Sequence, residues 1–193
     1  DLPSFYGGDG VDISNSTGDV EELIGKLEGI GIEGLVLDLR RNGGGLLNEA
    51  IDLTGLFIPE GPVVQIRDSL GDTRTRYDEN TKVAFTGSLT VLVARYCASA
   101  SEIVVGALQY HSRAVVIGDR TTHGKGTVQA LFKVSNRSLF AQITDEKTGA
   151  AKITIQKFYL PNGSSTQHLG VSSDIAMDSI NHMLPIGESD LDN

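Results

Sequence analysis

Hydrophobic and polar positions follow two different periods along the chain. Short apolar runs rich in β-branched residues predict buried strands. Such runs occur at 35–39, 91–94 and 114–117. Between them, apolar residues recur at helical spacing, which predicts helices with one buried face. These helices cover 19–27, 46–57 and 103–108, with Thr17 or Asp19 as the cap of the first.

The rest of the chain contains strand patterns separated by turn residues. A hairpin joined through 69–72 and three later strands are predicted, with a turn at 145–149. The strands cover 63–67, 73–77, 127–134, 138–143 and 151–158. Strands and helices that alternate in the middle, with strands at the end, predict an α/β fold with a C-terminal β-rich part. The polar residues beyond Asp178 predict a peripheral or frayed tail.

Composition limits the classes of protein that the chain can belong to. The 193 residues are 39% hydrophobic and 21% charged, which suits one globular domain or a domain with an appendage. No apolar run approaches the ~20 residues that a membrane helix needs. The net charge is −9, so no basic stripe is available to displace counterions from a nucleic acid. We therefore expect no nucleic-acid partner.

Cysteine and histidine usage excludes several kinds of site. The single cysteine, Cys97, excludes an intrachain disulfide and a cysteine-based zinc site. It lies two residues before Ser99, so a thiol nucleophile is one hypothesis, although a buried and inert thiol is favoured. The histidines are scattered, with no metal-binding spacing, so no metal is expected. They are His111, His123, His168 and His182.

Ser99 lies where the 91–94 strand turns into the 103–108 helix, among small residues. Unpaired N–H groups at a helix start favour a developing oxyanion, and a serine hydroxyl is a nucleophile once a base removes its proton. The segment from Ser99 to Glu102 also fits a capping box, with Ser99 as the N-cap and Glu102 reaching back. From spacing alone the capping interpretation is favoured. The two roles can coexist on one turn.

A base for Ser99 is available in the polar loop that follows the 114–117 strand. Lys125 can act only when neutral, so its pKa must fall from ~10.4 towards ~7, roughly 4 kcal/mol of differential stabilisation. Its glycine neighbours would permit close burial. A second hypothesis is a triad of Ser99, His123 and Asp119, since histidine is the usual base. A phosphate-binding loop is disfavoured, because the glycine and lysine spacing does not match.

Several motifs in register extend this interpretation beyond single residues. The motifs are LDLRRNGGG at 37–45, ASASEI at 98–103, GALQ at 106–109, RA at 113–114, GKGTVQ at 124–129 and IQKFY at 155–159. In this order they resemble the tail-specific, or C-terminal processing, protease family, closest to its bacterial periplasmic members. The resemblance covers roughly residues 2 to 178.

The resemblance implies a ClpP/crotonase-like α/β core of stacked ββα units and a serine endopeptidase activity. It implies Ser99 as the nucleophile, Lys125 as the general base and Gln129 as the residue that orients the lysine amine. The oxyanion hole would be formed by backbone N–H groups of the helix start and the glycine turn. These are Ala100, Gly44 and Gly45. The family uses no metal and no cofactor.

The resemblance also implies partners and a location. Protein or peptide substrates with apolar C-termini are expected, in the periplasm or at the cell envelope. In the family a PDZ module precedes this point. Residues 1–6 have the pattern of a strand already under way, which predicts an excised core whose PDZ module or adaptor lies outside it. We therefore predict a catalytic core over 1–178 and a polar tail over 179–193. Two further hypotheses stay open, a peptide-binding scaffold without turnover and a Ser–His hydrolase.

Overall fold

Two four-stranded sheets and three α-helices form the computed structural model, which describes residues 1–8, 14–133 and 149–191; all counts refer to those residues. The helices are α1 (Ser16–Glu28), α2 (Leu47–Gly55) and α3 (Ala100–Tyr110). The strands are β1 (Gly34–Asp38), β2 (Gly61–Arg67), β3 (Thr73–Asp78), β4 (Ser88–Val93), β5 (Val115–Gly118), β6 (Thr127–Lys133), β7 (Ala150–Tyr159) and β8 (Ile175–Ala176). Short 3-10 turns cover Ile180–Met183 and Glu188–Asp190.

The first sheet is parallel, in the order β1-β4-β5-β8. Its central strand β4 is buried at Val91 and Val93, as expected for a parallel sheet covered on its faces. Helix α3 is buried from Ala100 to Leu108 and packs against α2, β2 and β5. A helix that is apolar on most of its circumference belongs inside the core. The turn from β4 into α3, which contains Ser99, is therefore held from several sides.

The second sheet is antiparallel, in the order β3-β2-β7-β6. Strand β6 begins two residues after Lys125 and pairs with β7 along its whole length. Gln129 lies opposite Thr154 and Leu131 opposite Lys152, with a register shift between Val128 and Gln129. A shift of this kind bends a strand locally. The sheet therefore continues from the Lys125 loop and forms one wall beside it.

The mixed α/β architecture is confirmed, and the differences are at element ends. Helix α1 begins three residues earlier than predicted, because its N-cap is Asn15, whose Oδ1 accepts the Gly18 N–H at 2.7 Å. The prediction of Thr17 or Asp19 as the cap is wrong. The strand β8 was not predicted, because two residues are too few to show an alternation of apolar and polar positions. The predicted strand at 138–143 and all but the last residue of the 145–149 turn lie outside the described residues.

Residues 179–191 lie at the surface but are tied to the rest of the protein, so the tail is peripheral, as one alternative predicted, and not frayed over this range. The Glu188 N–H donates to the His123 carbonyl at 3.0 Å, and Arg95 Nη2 lies 3.6 Å from Asp190 Oδ2. Polar contacts, not apolar packing, attach this segment to the Lys125 loop, and a hydrophobic pattern cannot predict them. No helix in the described parts of the chain combines the length and apolarity needed to cross a bilayer.

Candidate active site

Ser99, Lys125 and Gln129 line one cavity of about 250 Å³. Its walls come from the start of α3, the glycine turn after β1, the start of β6 and the facing part of β7. Gly45 and Ala100 also contribute to the lining. Residues from four separate segments therefore meet at a single concave surface.

Ser99 adopts a backbone conformation that non-glycine residues rarely occupy. Its φ is 58° and its ψ is −115°, and it is the N-cap of α3, where the Glu102 carboxylate accepts the Ser99 N–H and the Glu102 N–H donates to the Ser99 carbonyl. Such a conformation costs about 1–3 kcal/mol and persists only where the surroundings impose it, often at functional sites. Glu102 reaches back to the Ser99 N–H, as the capping interpretation predicts, but within the described residues the Ser99 hydroxyl makes no capping hydrogen bond. Ser99 lines the cavity, and its hydroxyl is not engaged in capping the helix.

Glu102 joins the Ser99 turn to the Lys125 loop. Its side chain is completely buried, and its two oxygens accept hydrogen bonds from two segments of the chain. Oε2 accepts the N–H groups of Ser99 at 2.8 Å and Lys125 at 2.9 Å. Oε1 accepts the Thr122 hydroxyl at 2.6 Å and the Gly124 N–H at 2.8 Å. Burial raises the pKa of Glu102 to about 7 despite these four donors.

Lys125 is half-buried, and its surroundings on balance lower its pKa. Burial lowers its pKa first, and the positive charge of Lys152 lowers it further, while Glu188 and Glu102 oppose the change. Nζ donates to Gln129 Oε1 at 3.1 Å. The direction of the pKa change is the one that a lysine base requires. The Gln129 side chain contacts the amine, and its role in orienting Lys125 stays a prediction.

Two glycines bring the Lys125 loop close to the segment at 167–168. A Cβ on Gly124 would lie 3.0 Å from the carbonyl carbon of His168, and one on Gly126 would lie 2.9 Å from the Gln167 nitrogen. Hydrogen bonds reinforce this approach, since the Gly126 N–H donates to Gln167 Oε1 at 2.7 Å. Contacts with residues 167–168 therefore hold the loop in place on both sides of Lys125. Close packing at the glycines was predicted, but its partner segment was not.

Of the three predicted oxyanion-hole donors, Ala100 and Gly45 line the cavity and Gly44 does not. Ala100 is the first residue of α3, and its N–H has no intrahelical acceptor. Gly45 lines the cavity. Gly44 approaches within van der Waals distance of the Ser99 turn, but its N–H donates to Asn42 Oδ1 at 2.9 Å. In this arrangement the Gly44 N–H is engaged, while Ala100 and Gly45 flank Ser99 at the cavity.

Replacing Gly44 with Ala is expected to strain the Ser99 turn. Its φ is +107°, and the added Cβ would lie 2.8 Å from the Ala98 carbonyl oxygen and 3.1 Å from Ser99 Cβ. We expect a loss of about 2 kcal/mol in the free energy of unfolding, because an L-residue is strained there. Urea unfolding measures this loss. Gly43→Ala is the control, since its Cβ meets no atom within 4 Å, and equal stability losses in both variants would contradict the prediction.

The triad of Ser99, His123 and Asp119 is not assembled. The Asp119 carboxylate instead accepts the Arg95 N–H and the Asn181 Nδ2, each at 2.8 Å. Within the described residues His123 Nδ1 makes no hydrogen bond, and it lies 3.7 Å from the Glu188 carboxylate. Neither His123 nor Asp119 lines the cavity that contains Ser99. The hypothesis of a triad with Asp119 as its acid is therefore wrong.

A thiol nucleophile and a phosphate-binding loop are also inconsistent with the structure. Cys97 is fully buried, its thiol donates to the Leu39 carbonyl at 2.8 Å, and burial raises its pKa to about 12. It is the inert thiol that was predicted, and not a nucleophile. In the 118–126 loop, the N–H groups of Gly124 and Lys125 bind the Glu102 carboxylate and are unavailable to a phosphate. Across the described residues, no cluster of three or more His, Cys, Asp or Glu has the arrangement of a metal site.

The sequence pattern pointed to some of the residues that hold the site in place, but not to all of them. Glu102 was identified only as part of a capping box, because a local pattern does not show a contact with a loop more than twenty residues later. Asn42 is buried and fixes the glycine turn, and its position before three glycines was the available signal. Thr122, Lys152 and Glu188 had no signal, since their roles depend on segments that meet only in the fold.

Residues 1–177 match the model of peptidase family S41, and the chain belongs to this family. It is 44% identical over its whole length to the tail-specific protease of Haemophilus influenzae, of which it covers 26%. It is 36% identical to the carboxy-terminal-processing protease of Bartonella bacilliformis, with 82% of this chain and 34% of that protein aligned. The chain therefore spans about a quarter to a third of these curated relatives. The predicted family is confirmed.

Solved structures place the fold in the same family. The photosystem II D1 C-terminal processing protease is 30% identical and superposes with a TM-score of 0.73 over 91% of this chain and 41% of that one. Mature CPAF is 13% identical with a TM-score of 0.68, over 91% of this chain and 45% of its own length, so it supports the fold alone. The prediction of a ClpP/crotonase-like α/β core is confirmed. The boundary between residues 178 and 179 stays a prediction.

Proposed function

We propose that the chain is the catalytic part of a serine endopeptidase with a Ser99–Lys125 dyad. The observation on which this rests is that Ser99, on the strained start of α3, and Lys125 line one cavity. Glu102 ties the two backbones together, so the nucleophile and the base are held in a fixed relation before substrate binds. Such preorganisation is what acyl transfer requires.

The proposed reaction assigns one role to each residue. Neutral Lys125 takes the proton of the Ser99 hydroxyl as Oγ attacks the peptide carbonyl. The N–H groups of Ala100 and Gly45 stabilise the oxyanion, and Gly44 would contribute only after its N–H leaves Asn42. The lysine ammonium then gives its proton to the leaving amine. Water attacks the acyl-enzyme with the same lysine as base, and Ser99 is regenerated.

The proposed substrates are proteins processed near their C-termini. This proposal follows the names of the relatives, a tail-specific protease and a carboxy-terminal-processing protease. We further propose that apolar C-terminal residues are selected by a PDZ module or an adaptor outside this chain, since the cavity at Ser99 takes the scissile bond and not a distant tail. The proposed location is the periplasm or the cell envelope, as for bacterial tail-specific proteases.

An active-site label and a cleavage assay test the proposal together. We expect a fluorophosphonate to label the wild-type chain at Ser99 and an unfolded protein with an apolar C-terminus to be cleaved. Ser99→Ala should abolish both signals, because no other lining residue in the described parts of the chain carries a hydroxyl. Peptide binding without labelling or cleavage would favour a scaffold. Activity that is lost in His123→Ala but kept in Lys125→Met would favour a Ser–His hydrolase instead.

A further inference from the structure

Lys152 lies in the wall of the same cavity, on the strand opposite Gln129. It pairs with Leu131, two residues beyond the pair formed by Gln129 and Thr154. Side chains two residues apart on one strand share a face of the sheet, so Gln129 and Lys152 are diagonal neighbours. Both line the cavity together with Ser99. Lys152 is thus a second lysine within the space proposed for the substrate.

The described charged residues that line this cavity are all positive. Its charged lining residues, within the described residues, are Lys125 and Lys152, and no carboxylate contributes to the lining. No described carboxylate lies within 4.0 Å of the Lys152 ammonium. The positive charge of Lys152 also reaches Lys125, whose pKa it lowers. An ammonium group at a concave site attracts an anion, and a carboxylate is the anion that a polypeptide offers.

We propose that Lys152 binds a carboxylate of the substrate segment that occupies the Ser99 cavity. This inference rests on the proposed function and adds a specificity-determining residue to it. The carboxylate has two possible sources with the same chemistry, the free C-terminus of a short tail or an Asp or Glu side chain near the scissile bond. In either case the charge pair would fix the register of the peptide relative to Ser99, in addition to any selection made outside this chain.

Peptide binding to the Ser99→Ala variant tests the inference without turnover. We use fluorescence anisotropy with one peptide sequence in three forms: a free C-terminus, a C-terminal amide, and an amide with one internal Gln replaced by Glu. We expect one carboxylate form to bind about 3-fold more tightly than the plain amide, as for an ion pair made by an exposed lysine. A preference for the free C-terminus identifies the tail as the source. A preference for the Glu form identifies a side chain.

The preference should depend on Lys152 and not on the charge of the strand as a whole. Adding Lys152→Met to the Ser99→Ala background is expected to equalise the three peptides. Lys157→Met is the matched control, because it removes a lysine from the same strand outside the cavity. Equal affinities in the Ser99→Ala parent, or a preference that survives Lys152→Met, would overturn the inference.

A kinetic measurement separates this inference from the proposed function. In the Ser99-intact chain, Lys152→Met should move the rising limb of kcat against pH to higher pH, because Lys125 loses a positive neighbour. Lys157→Met should leave the limb in place, and a shift of the same size there would count against Lys152. If the Ser99-intact chain cleaves nothing, the proposed function fails, while the binding preference still decides the role of Lys152.

Discussion

Replacing Lys125 with Met is expected to lower kcat about 10⁴-fold while the chain stays folded, since loss of one member of a catalytic group has effects of this size. Methionine keeps the stem of the side chain and removes the amine that would accept the Ser99 proton. The Lys125 N–H, which donates to Glu102, is unchanged by the substitution, so the loop keeps its anchor. Steady-state cleavage, with circular dichroism to confirm folding, measures the effect.

The pH dependence of the cleavage rate tests the role of Lys125 as base in a second way. Lys125 must be neutral, so the rate should rise with pH as the amine loses its proton. Because burial lowers the pKa of Lys125, this rise should lie below the ordinary lysine value of 10.5. Lys157→Met is again the control and should keep both the rate and the profile. A Lys125→Met variant with more than a tenth of wild-type activity would refute the lysine base.

Replacing Glu102 with Gln is expected to separate the nucleophile turn from the base loop. Each carboxylate oxygen accepts two donors, so an amide NH₂ in place of either oxygen faces two N–H or O–H groups. Buried donors that lose their acceptor cost about 1–3 kcal/mol each. We expect a loss of about 3 kcal/mol in the free energy of unfolding and a fall in kcat of at least about 100-fold, since small misplacements of catalytic groups have effects of that order.

Urea unfolding and cleavage kinetics on one preparation check both parts of this prediction. Glu22→Gln is the control, because Glu22 is an exposed carboxylate on α1 that pairs only with Lys26 among the described residues. A surface pair of this kind contributes at most about 1 kcal/mol. Wild-type kcat in Glu102→Gln would show that the Ser99 turn and the Lys125 loop stay in place without the carboxylate.

The secondary structure was largely predictable because its signals are local. Apolar runs and helical spacing predicted the cores of α2, α3, β4 and β5, and the ends of each element differ from the prediction by one to three residues. Helix ends depend on which side chain reaches an N–H group, which is why Asn15 and not Thr17 caps α1. The strand β8 owes its existence to its neighbour β5, and two residues have no period of their own.

The site was predictable as far as single segments define it. The Ser99 turn, the glycine turn and the Lys125 loop each have a local pattern, and the family resemblance assigned their roles. How these segments are joined could not be predicted. Glu102 reaches Lys125 across a distance in sequence that no spacing rule covers, and Glu188 contacts His123 from a segment with no apolar pattern. Such contacts follow from packing of the whole chain.

The burial of Cys97 has a practical consequence for studying the molecule in motion. It is the one cysteine of the sequence, and it is completely enclosed with its proton held by a backbone carbonyl. Maleimide and related reagents need an accessible thiolate, so they should not modify Cys97 in the folded protein. A cysteine introduced on an exposed surface would then be the only reactive one. Spectroscopic labels can therefore be attached at chosen positions with Cys97 left in place.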